Sequence, residues 1–447
     1  MSTSQPLRPF RILVIGNYSG RNAGDAAILD GLLRDVTEAF PDRSLEFHVP
    51  TVNPRFIRRA YPGYPVKPVG LLPWNLSLKI LGLPIVRAAL GADLILVTDA
   101  VLFDLRLRNP LFNYLHTLSW VLPMASRRGV PVVVFNATLG MVRTDAGRRC
   151  LTRVLGASQR VVVRDPPSAE LARTLAPHGE PPLHGADSAL SALPAPPAEV
   201  DRVARAHGVL RTGRPVLGFN VNAYLEAYLG PDGSGIRPDA FQAAVAQVLD
   251  RAIRELGVEI LLFQTHPMDA PMVDGVLKQV RARDMVGVVR NPPVGHRELT
   301  GLLGRAEAVV SMRTHGLILA SRMRTPVGGL IAYAKSRGYL ESIGLGDRVL
   351  EFRDFDAETL WRLVEGLWNS RRELRRHLEK SMPAQEAQAA AAAGALADWL
   401  GPPATLERAE IHPGIPSEDA HDGGVEDADA GSARSWGAEA HPGEGGS

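Results

Sequence analysis

The chain has 447 residues, of which 45% are apolar and 22% are charged, and it carries a formal net charge of +2. This length predicts two domains rather than one core, and the single cysteine, Cys150, excludes a disulfide framework. The N-terminus lacks the apolar core of a signal peptide, and charges interrupt the most apolar stretch, 70–102, so the sequence predicts a cytoplasmic protein without a transmembrane segment.

The first half of the chain alternates apolar strands with helix-length segments. The predicted strands cover residues 11–16, 45–50, 93–98, 131–136 and 160–165. Continuous runs of Val, Ile and Leu are typical of parallel strands that are buried on both faces. The pattern predicts a doubly wound domain over residues 1–195.

A glycine-rich stretch, GNYSGRNAGDAAIL, follows the first predicted strand. Its glycines, Gly16, Gly20 and Gly24, are spaced by four, which excludes the dinucleotide fingerprint, and no Lys-Ser/Thr pair follows as in a P-loop. The stretch predicts a glycine turn and a helix that runs to about Phe40, whose first backbone N–H groups can receive an anion or an oxygen-rich sugar. Asp25 is either the N-cap of this helix or a base that reaches into a cleft.

Residues 47–92 contain no acidic residue and six basic ones. The basic residues are Arg55, Arg58, Arg59, Lys67, Lys79 and Arg87. Two interpretations stay open for this segment. It is either a basic, proline-rich connection followed by a buried helix, or a surface that contacts anionic lipid as a peripheral membrane site.

A proline-rich segment, SALPAPPAEV (191–200), is typical of an interdomain linker, and a second alternation follows it. The predicted strands cover 214–221, 258–266, 285–290, 306–313 and 325–331, with predicted helices at 239–256 and 271–283. This pattern predicts a second doubly wound domain over 196–370. The predicted α/β fold therefore has two doubly wound Rossmann-like domains with an interdomain cleft. Ligands of such sheets bind outside the carboxyl ends of the strands.

The segment SMRTHG, residues 311–316, lies where a predicted strand ends and a helix begins. Arg313 offers a planar fork for a carboxylate or phosphate, and His315 can exchange a proton near neutral pH. A lone histidine is more often structural, but this strand-to-helix corner favours a functional one. Lys335 follows the next strand and is either a second cation in the same cleft or a solvated surface lysine.

The C-terminal region divides into a helical part and an acidic tail. A helical pattern covers about 357–400, and its part from 371 to 401 is predicted to pack back across both domains. Residues 402–447 hold ten acidic and two basic residues and cannot bury a core, which predicts a disordered tail. The rest of the chain is correspondingly basic and favours anionic substrates or a phospholipid surface. Nucleic acid is not expected, because there is no basic stripe interleaved with aromatic residues.

Four segments resemble, in order, the motifs of the polysaccharide pyruvyl transferase family. GNYSGRNAGDAAIL resembles the opening G-N-x-x-x-x-N-x-G-D-x-A-I-L motif, and VVVRDPPSAELARTL (161–175) is similar to the central Arg-Asp/Glu-x-x-Ser element. GADSAL (185–190) is similar to an Ala-Asp-Ser segment. MRTHGLILASRMRTPVGGLIAYAKSRGYLESIGL resembles the C-terminal signature, and the similarity spans roughly residues 10–385.

The resemblance implies a glycosyltransferase-B-like fold, with the acceptor on the N-terminal side and the donor on the C-terminal side. It implies transfer of the enolpyruvyl group of phosphoenolpyruvate to a sugar of a cell-surface polysaccharide or its precursor, giving a pyruvate ketal and phosphate. No cofactor or metal is required. The sequence leaves open whether the sugar acceptor is lipid-linked, nucleotide-linked or free.

The resemblance also suggests roles for particular residues. Phosphoenolpyruvate is strongly anionic, so Arg313 and Arg164 are expected to bind its carboxylate and phosphate, with Lys335 in support. His315 is the first candidate for the general acid or base, and Asp25 is the next. The remaining candidates contact the acceptor or shape the loops of the site: Gly16, Asn17, Asn22, Gly24, Asp99 and Asp187.

One segment departs from the family pattern. A Gly-Gly-Gly-like turn is usual after the third strand, and this chain reads LVTDAVLFD there, with Thr98, Asp99 and Ala100 in place of glycines. Side chains at these positions either narrow the site or add a carboxylate.

Two other functions stay open from the residues alone. A nucleotide-sugar glycosyltransferase would have the same architecture, although Glu341 and Glu351 form no obvious ribose pair. A non-catalytic glycan-binding or scaffold protein is the second alternative, and the joint presence of Asp25, Arg164 and His315 argues against it.

Overall fold

The computed structural model describes eight segments of the chain, which together form one compact unit. They are residues 8–70, 83–99, 101–104, 114–142, 144–177, 179–223, 236–331 and 334–402. The predicted disordered tail therefore lies outside the described residues, apart from Pro402. The same holds for Ala100 and for part of the basic 47–92 segment.

The first half of the chain forms a parallel sheet of seven strands, in the order β3-β2-β1-β4-β6-β8-β9. A separate two-stranded sheet pairs β5 with β7. The strands are β1 (Phe10–Ile15), β2 (Leu45–Thr51), β3 (Val66–Gly70), β4 (Leu94–Val97), β5 (Leu102–Asp104), β6 (Val132–Ala137), β7 (Leu139–Val142), β8 (Arg160–Val163) and β9 (Leu183–His184). The helices are α1 (Ala23–Ala39), α2 (Pro54–Ala60), α3 (Leu83–Leu90), α4 (Tyr114–Ser126), α5 (Asp145–Gly156) and α6 (Pro166–Leu175).

The second half forms a parallel sheet of six strands, in the order β12-β11-β10-β13-β14-β15. Its strands are β10 (Val216–Asn220), β11 (Glu259–Phe263), β12 (Val286–Val289), β13 (Ala308–Ser311), β14 (Val327–Ile331) and β15 (Val349–Glu351). Its helices are α7 (Pro197–Ala206), α8 (Pro238–Glu255), α9 (Ala270–Gln279), α10 (His296–Leu303), α11 (Thr314–Arg322), α12 (Ala334–Ser342) and α13 (Ala357–Leu400).

Every strand predicted from the sequence is present, with ends that differ by a few residues. The predictions succeed at central strands, such as β4 and β10, because all of their residues are buried and apolar. They miss the short β3, β5, β7, β9 and β15. β9 has two exposed residues and β3 is half-buried, so neither carries a continuous apolar run. The two predicted Rossmann-like sheets are confirmed.

The proline-rich 191–200 segment connects the two sheets, but it is packed rather than free. Ala192 and Ala195 are buried, and the N–H of Ala195 donates to the carbonyl of Arg297 over 2.9 Å. Pro197 begins α7, since proline suits the first turn of a helix. The predicted linker is therefore a packed connection between the two sheets.

Helix α13 is 44 residues long and contacts both sheets. Its buried residues up to Ala389 join the core around the second sheet, whereas Ala392, Ala393 and Leu396 join a core against the first. Pro383 lies inside the helix. The predicted domain boundary at 370/371 falls within α13, and the other boundaries, at 195/196 and 401/402, stay predictions. Among the described helices none is both long and apolar enough to cross a membrane.

Candidate functional site

The predicted site residues converge where the carboxyl ends of the strands of both sheets meet. Asn17 and Asp25 follow β1, Asp99 follows β4, and Arg164 follows β8. The second sheet contributes His315 after β13 and Lys335 after β14. This edge is where doubly wound sheets bind their ligands.

The loop before α1 holds the side chain of Asp25 from two sides. The Nδ2 atom of Asn17 donates to Oδ2 over 3.1 Å, and Nδ2 of Asn22 donates to Oδ1 over 2.7 Å. Asn22 is the N-cap of α1, because its Oδ1 accepts the N–H of Gly24 over 2.9 Å. The alternative that Asp25 is the N-cap is wrong, since the helix begins two residues earlier, at Ala23. Asp25 instead turns its carboxyl toward the loop and the cleft.

Two glycines of the opening motif let side chains lie directly against the backbone. A Cβ at Gly24 would come within 2.0 Å of Nδ1 of His315, and a Cβ at Gly16 would meet the ring of Tyr18 at 2.4 Å. The first N–H groups of α1 are already used, because Ala23 donates to the carbonyl of Thr265 and Gly24 donates to Asn22. These two N–H groups are therefore not available to a ligand, and the anion or sugar site at this helix start stays a prediction.

Arg164, Asp187 and His315 lie close together between the two sheets. Nη1 of Arg164 pairs with Oδ2 of Asp187, and both side chains are buried. Nε2 of His315 lies 3.6 Å from the same oxygen, beyond hydrogen-bond distance. The Arg164 guanidinium and the nearby His315 hold the pKa of Asp187 below its ordinary value against the effect of burial. The Asp187 carboxylate in turn raises the pKa of Arg164 against the effect of burial, so Arg164 stays charged.

Asp99 stands at the position of the unusual turn and is buried in a left-handed conformation. Its φ is +65° and its relative exposure is 4%. Left-handed backbone favours glycine, although aspartate tolerates it better than most residues. The turn therefore keeps the backbone shape that a glycine would give and adds a carboxylate.

Lys335 is solvent-accessible, yet it lies in a crowded part of the cleft. Burial and the Arg164 cation lower its pKa, while the charges of Asp99, Asp25 and Asp187 act in the opposite direction. The role of Lys335 as a second cation of this cleft stays a prediction.

Arg313 lies in a different group of charges. Its Nη2 and Nε atoms bind the buried Asp269 in a fork, over 2.6 and 3.1 Å. His266 is adjacent, and its pKa is lowered by burial and by the Arg313 cation. His266 also caps the 3₁₀ turn at 267–269, because its Nδ1 accepts the N–H of Met268. The sequence signals did not reveal Asp269, which follows no recognisable motif.

A groove of about 750 Å³ opens beside α1, between α2 and the N-terminus of α10. None of the predicted site residues lines it. Arg55, Arg59 and Arg297 contribute cations, and Glu199 and Glu298 contribute carboxylates. Arg297 is bound to the buried Asp30 of α1, through Nε at 3.1 Å. Asp30, His296 and Arg297 were not anticipated from the sequence.

Within the described residues, no three or more His, Cys, Asp or Glu side chains are grouped so that they could hold a metal ion. The cleft is instead lined by two cations, Arg164 and Lys335, and by carboxylates and one histidine. Such an arrangement can bind an anion and exchange protons with it.

Solved structures of low sequence identity have a similar fold. UDP-GlcNAc 2-epimerase from Neisseria meningitidis, bound to UDP-GlcNAc, matches with a TM-score of 0.58 and 12% identity over 87% of this chain and 99% of its own. The UDP-GlcNAc 2-epimerase from Methanocaldococcus jannaschii gives 0.57 and 13% over 80% and 92%. HepE from Anabaena, in complex with UDP, gives 0.54 and 14% over 88% and 99%. These similarities confirm the glycosyltransferase-B-like fold.

The family of the chain is identified from its sequence. No curated protein sequence matches the chain significantly. The profile of the polysaccharide pyruvyl transferase family matches residues 22–334, a span that includes Asp25, Arg164, Asp187 and His315. The chain therefore belongs to the polysaccharide pyruvyl transferase family and is a transferase.

Proposed function

We propose that this protein transfers the enolpyruvyl group of phosphoenolpyruvate to a sugar of a cell-surface polysaccharide or its precursor, forming a pyruvate ketal and releasing phosphate. The observation that carries the proposal is the group of Arg164, Lys335 and His315, which the fold brings together at one edge of the cleft. Family membership supports the reaction type, and the charges of the site support an anionic donor.

The donor requires cations that face the cleft. Arg164 stays charged because Asp187 and the neighbouring carboxylates stabilise its guanidinium. Lys335 adds a second cation whose pKa is lowered, so it can both bind an anion and release a proton. Arg313, which pairs with Asp269, either adds its positive charge to the donor site or positions the β13–α11 corner through Asp269.

The chemistry requires proton transfer as well as charge. The methylene carbon of phosphoenolpyruvate gains a proton, a sugar hydroxyl attacks the central carbon, and phosphate leaves as a second hydroxyl of the same sugar closes the ketal. We assign the protonation of the departing phosphate oxygen to His315, because it lies beside Asp187 and Arg164. No cofactor takes part in this scheme.

Thermal stabilisation by phosphoenolpyruvate tests the donor directly. We expect phosphoenolpyruvate to raise Tm, and UDP and NAD to leave it unchanged, because a ligand stabilises only the state that binds it. The shift should be lost in His315→Ala and in Lys335→Met, which remove groups of the cleft. Arg254→Lys, a charge-conserving change on an exposed face of α8, should keep it.

Each other outcome of this measurement has a definite meaning. A shift with UDP alone would replace the proposal by a nucleotide-sugar-dependent glycosyltransferase, the chemistry that the ligands of HepE and the epimerases represent. No shift with phosphoenolpyruvate at millimolar concentration, while the variants remain folded, would favour a non-catalytic glycan-binding or scaffold protein.

We also propose that the acceptor is lipid-linked and is met at an anionic membrane surface through the basic 47–92 segment. Arg55, Arg58 and Arg59 on α2 are exposed, and the described residues offer them no ion pair. Lys67 contributes less, because it pairs with Glu46 over 2.5 Å. Basic residues near a surface gain about 1 kcal/mol each from anionic lipid.

Vesicle flotation checks the membrane contact. The protein should float with phosphatidylglycerol vesicles at low salt, and a variant with Arg55, Arg58 and Arg59 changed to Gln should lose most of that binding. A variant with Arg202, Arg205 and Arg214 changed to Gln, three basic residues outside the segment, is the matched control. Absence of flotation at low salt would remove the membrane contact from the proposal but leave the phosphoenolpyruvate reaction intact.

A further inference from the structure

We infer that the groove between α2 and α10 binds the diphosphate through which the acceptor sugar is joined to its lipid, with Arg55 and Arg59 as the binding cations. This inference rests on the proposed function, and it gives the acceptor a defined binding site in addition to the membrane contact. Its basis is a groove with unpaired cations on one wall, which adjoins the loop that holds Asp25.

The groove is large enough for more than a single phosphate. Its volume of about 750 Å³ lies within the range of pockets that hold small organic ligands. One wall is α2 of the first half of the chain, and the opposite wall is the start of α10 together with residues 195–199 of the connection. A ligand in the groove therefore contacts both halves of the chain.

Two arginines of α2 give the groove its available positive charge. Arg55 and Arg59 are four residues apart, so they lie on the same side of the helix, one turn from each other. Both are exposed, and the described residues offer neither of them an ion pair. Two guanidinium forks in this arrangement can each bind the oxygen atoms of one phosphate of a diphosphate.

The other charges that line the groove are already matched. Nε of Arg297 donates to the buried Asp30 over 3.1 Å, and Nη2 of Arg202 donates to Glu199 over 3.1 Å. The remaining carboxylate, that of Glu298, lies in the first turn of α10, where the positive end of the helix dipole offsets it. The charge open to a ligand is therefore that of the two α2 arginines.

Most of the other residues that line the groove are apolar. They are Phe56, Ala60, Pro62, Ala195, Pro196 and Pro293. Such a wall suits a hydrocarbon chain, whereas the uracil and ribose of a nucleotide lose hydrogen bonds to water without gaining partners there. The lining therefore favours a lipid diphosphate over a nucleoside diphosphate.

Helix α2 is attached to the glycine-rich loop of the candidate site. Nδ2 of Asn53, the N-cap of α2, donates to the carbonyl of Ser19 over 3.2 Å. The ring of Phe56, which lines the groove, lies so close to Gly20 that a Cβ there would come within 2.5 Å of it. The groove therefore adjoins the loop that holds Asp25.

The groove is also near the candidate site along α1. Arg297 binds Asp30, which comes five residues after Asp25 in this helix. Five residues of an α-helix span about 7.5 Å along its axis. An acceptor whose sugar hydroxyls lie at Asp25 can therefore place the phosphates of the same molecule beside α2.

Calorimetric titration of the full chain with geranyl diphosphate tests the site without turnover. The wild-type protein should bind this probe, and the combined change of Arg55→Gln and Arg59→Gln should raise its Kd about 100-fold or more, because each charged hydrogen bond contributes about tenfold. Arg58→Gln is the matched control. Arg58 is an exposed arginine of the same helix that does not line the groove, so its loss should leave the Kd unchanged.

The same control separates the groove from the membrane contact. Vesicle flotation depends on the total charge of α2, so Arg58→Gln should weaken flotation as much as Arg59→Gln does. Only Arg59→Gln should also weaken the binding of geranyl diphosphate. Equal effects of the two single variants on the Kd of the probe would mean that the probe binds to the charged surface of α2, and this result would overturn the groove site.

Competing ligands identify the source of the diphosphate. Inorganic diphosphate in excess should displace geranyl diphosphate, whereas geraniol, which has no phosphate, should not. UDP at a concentration equal to that of the probe should not displace it, because its nucleoside gains little from the apolar lining. UDP that binds as tightly as geranyl diphosphate, with the same loss in the double variant, would overturn the lipid source in favour of a nucleotide-linked acceptor.

The failure of this site and the failure of the proposed reaction can be distinguished. Absence of geranyl diphosphate binding, or binding that survives the loss of both Arg55 and Arg59, would overturn the groove site whether or not the protein uses phosphoenolpyruvate. A protein that binds geranyl diphosphate as expected but does not bind phosphoenolpyruvate would overturn the proposed donor and leave the diphosphate site in place.

Discussion

Arg164→Ala is expected to lower the free energy of unfolding by about 3–5 kcal/mol, because it leaves the buried carboxylate of Asp187 without its cation. Urea denaturation at pH 7 measures this loss. Arg173→Ala is the matched control, since Arg173 pairs with Glu170 on an exposed face of α6 and should cost about 0.5 kcal/mol or less. Equal losses in the two variants would contradict the buried ion pair.

The loss in Arg164→Ala should depend on pH in a defined direction. The pKa of Asp187 is lowered in the folded protein, so the pair stabilises the fold above the unfolded-state pKa, and this contribution disappears as pH falls through the folded-state pKa. Without Arg164, burial alone raises the pKa of Asp187, and protonation relieves the buried charge. The difference between variant and wild type should therefore be smaller at pH 4 than at pH 7.

Gly24→Ala is expected to lower the turnover number about 10²-fold or more, because the new Cβ takes the place of Nδ1 of His315, 2.0 Å away. Alanine favours a helix by about 1 kcal/mol relative to glycine, so helix propensity alone predicts a more stable protein. The measurement combines Tm with the rate of phosphate release from phosphoenolpyruvate. A variant with higher Tm and unchanged turnover would show that His315 does not lie against α1.

Two further variants separate the steric effect from other causes. Gly394→Ala also lies in a helix, but nothing approaches its Cβ within 4 Å, so it should raise stability and leave turnover unchanged. Gly24→Ala combined with His315→Gly, which also removes the His315 Cβ at 2.7 Å from the new methyl group, should regain the stability that Gly24→Ala loses, while activity stays lost. Failure of the double variant to recover stability would mean that another neighbour of Gly24 causes the clash.

The sequence predicted the central strands, the two sheets and the chain positions of the site residues. These features depend on local patterns: apolar runs for strands such as β4 and β10, and polar residues at strand ends for Arg164 and His315. Continuous patterns of this kind persist in the fold because parallel strands must be buried on both faces. The long α13 was also predicted from a local pattern, in this case a sustained helical one.

The contacts between distant segments could not be predicted from local patterns. Asp269 binds Arg313 and Asp30 binds Arg297, and in each case the partners come from different segments of the chain. Of the two alternatives for Asp25, the N-cap of α1 is excluded; Asn22 and Asp25 are both suitable caps, and only the geometry distinguishes them. The opening glycines were expected to contact the acceptor or to shape the loops, and Gly16 and Gly24 make room for the side chains of Tyr18 and His315.

The length of α13 has a mechanical consequence for the cleft. The helix is about 66 Å long at 1.5 Å per residue, and its two parts are anchored in different cores. Any rotation of one sheet against the other must therefore bend this helix, because the packed 191–200 segment cannot extend to accommodate the movement. Pro383 has no N–H to donate to the preceding turn, but it lies between Met382 and Ala389, both of which pack in the core of the second sheet. The bend must therefore fall between Ala389 and Ala392, where the helix passes from one core to the other.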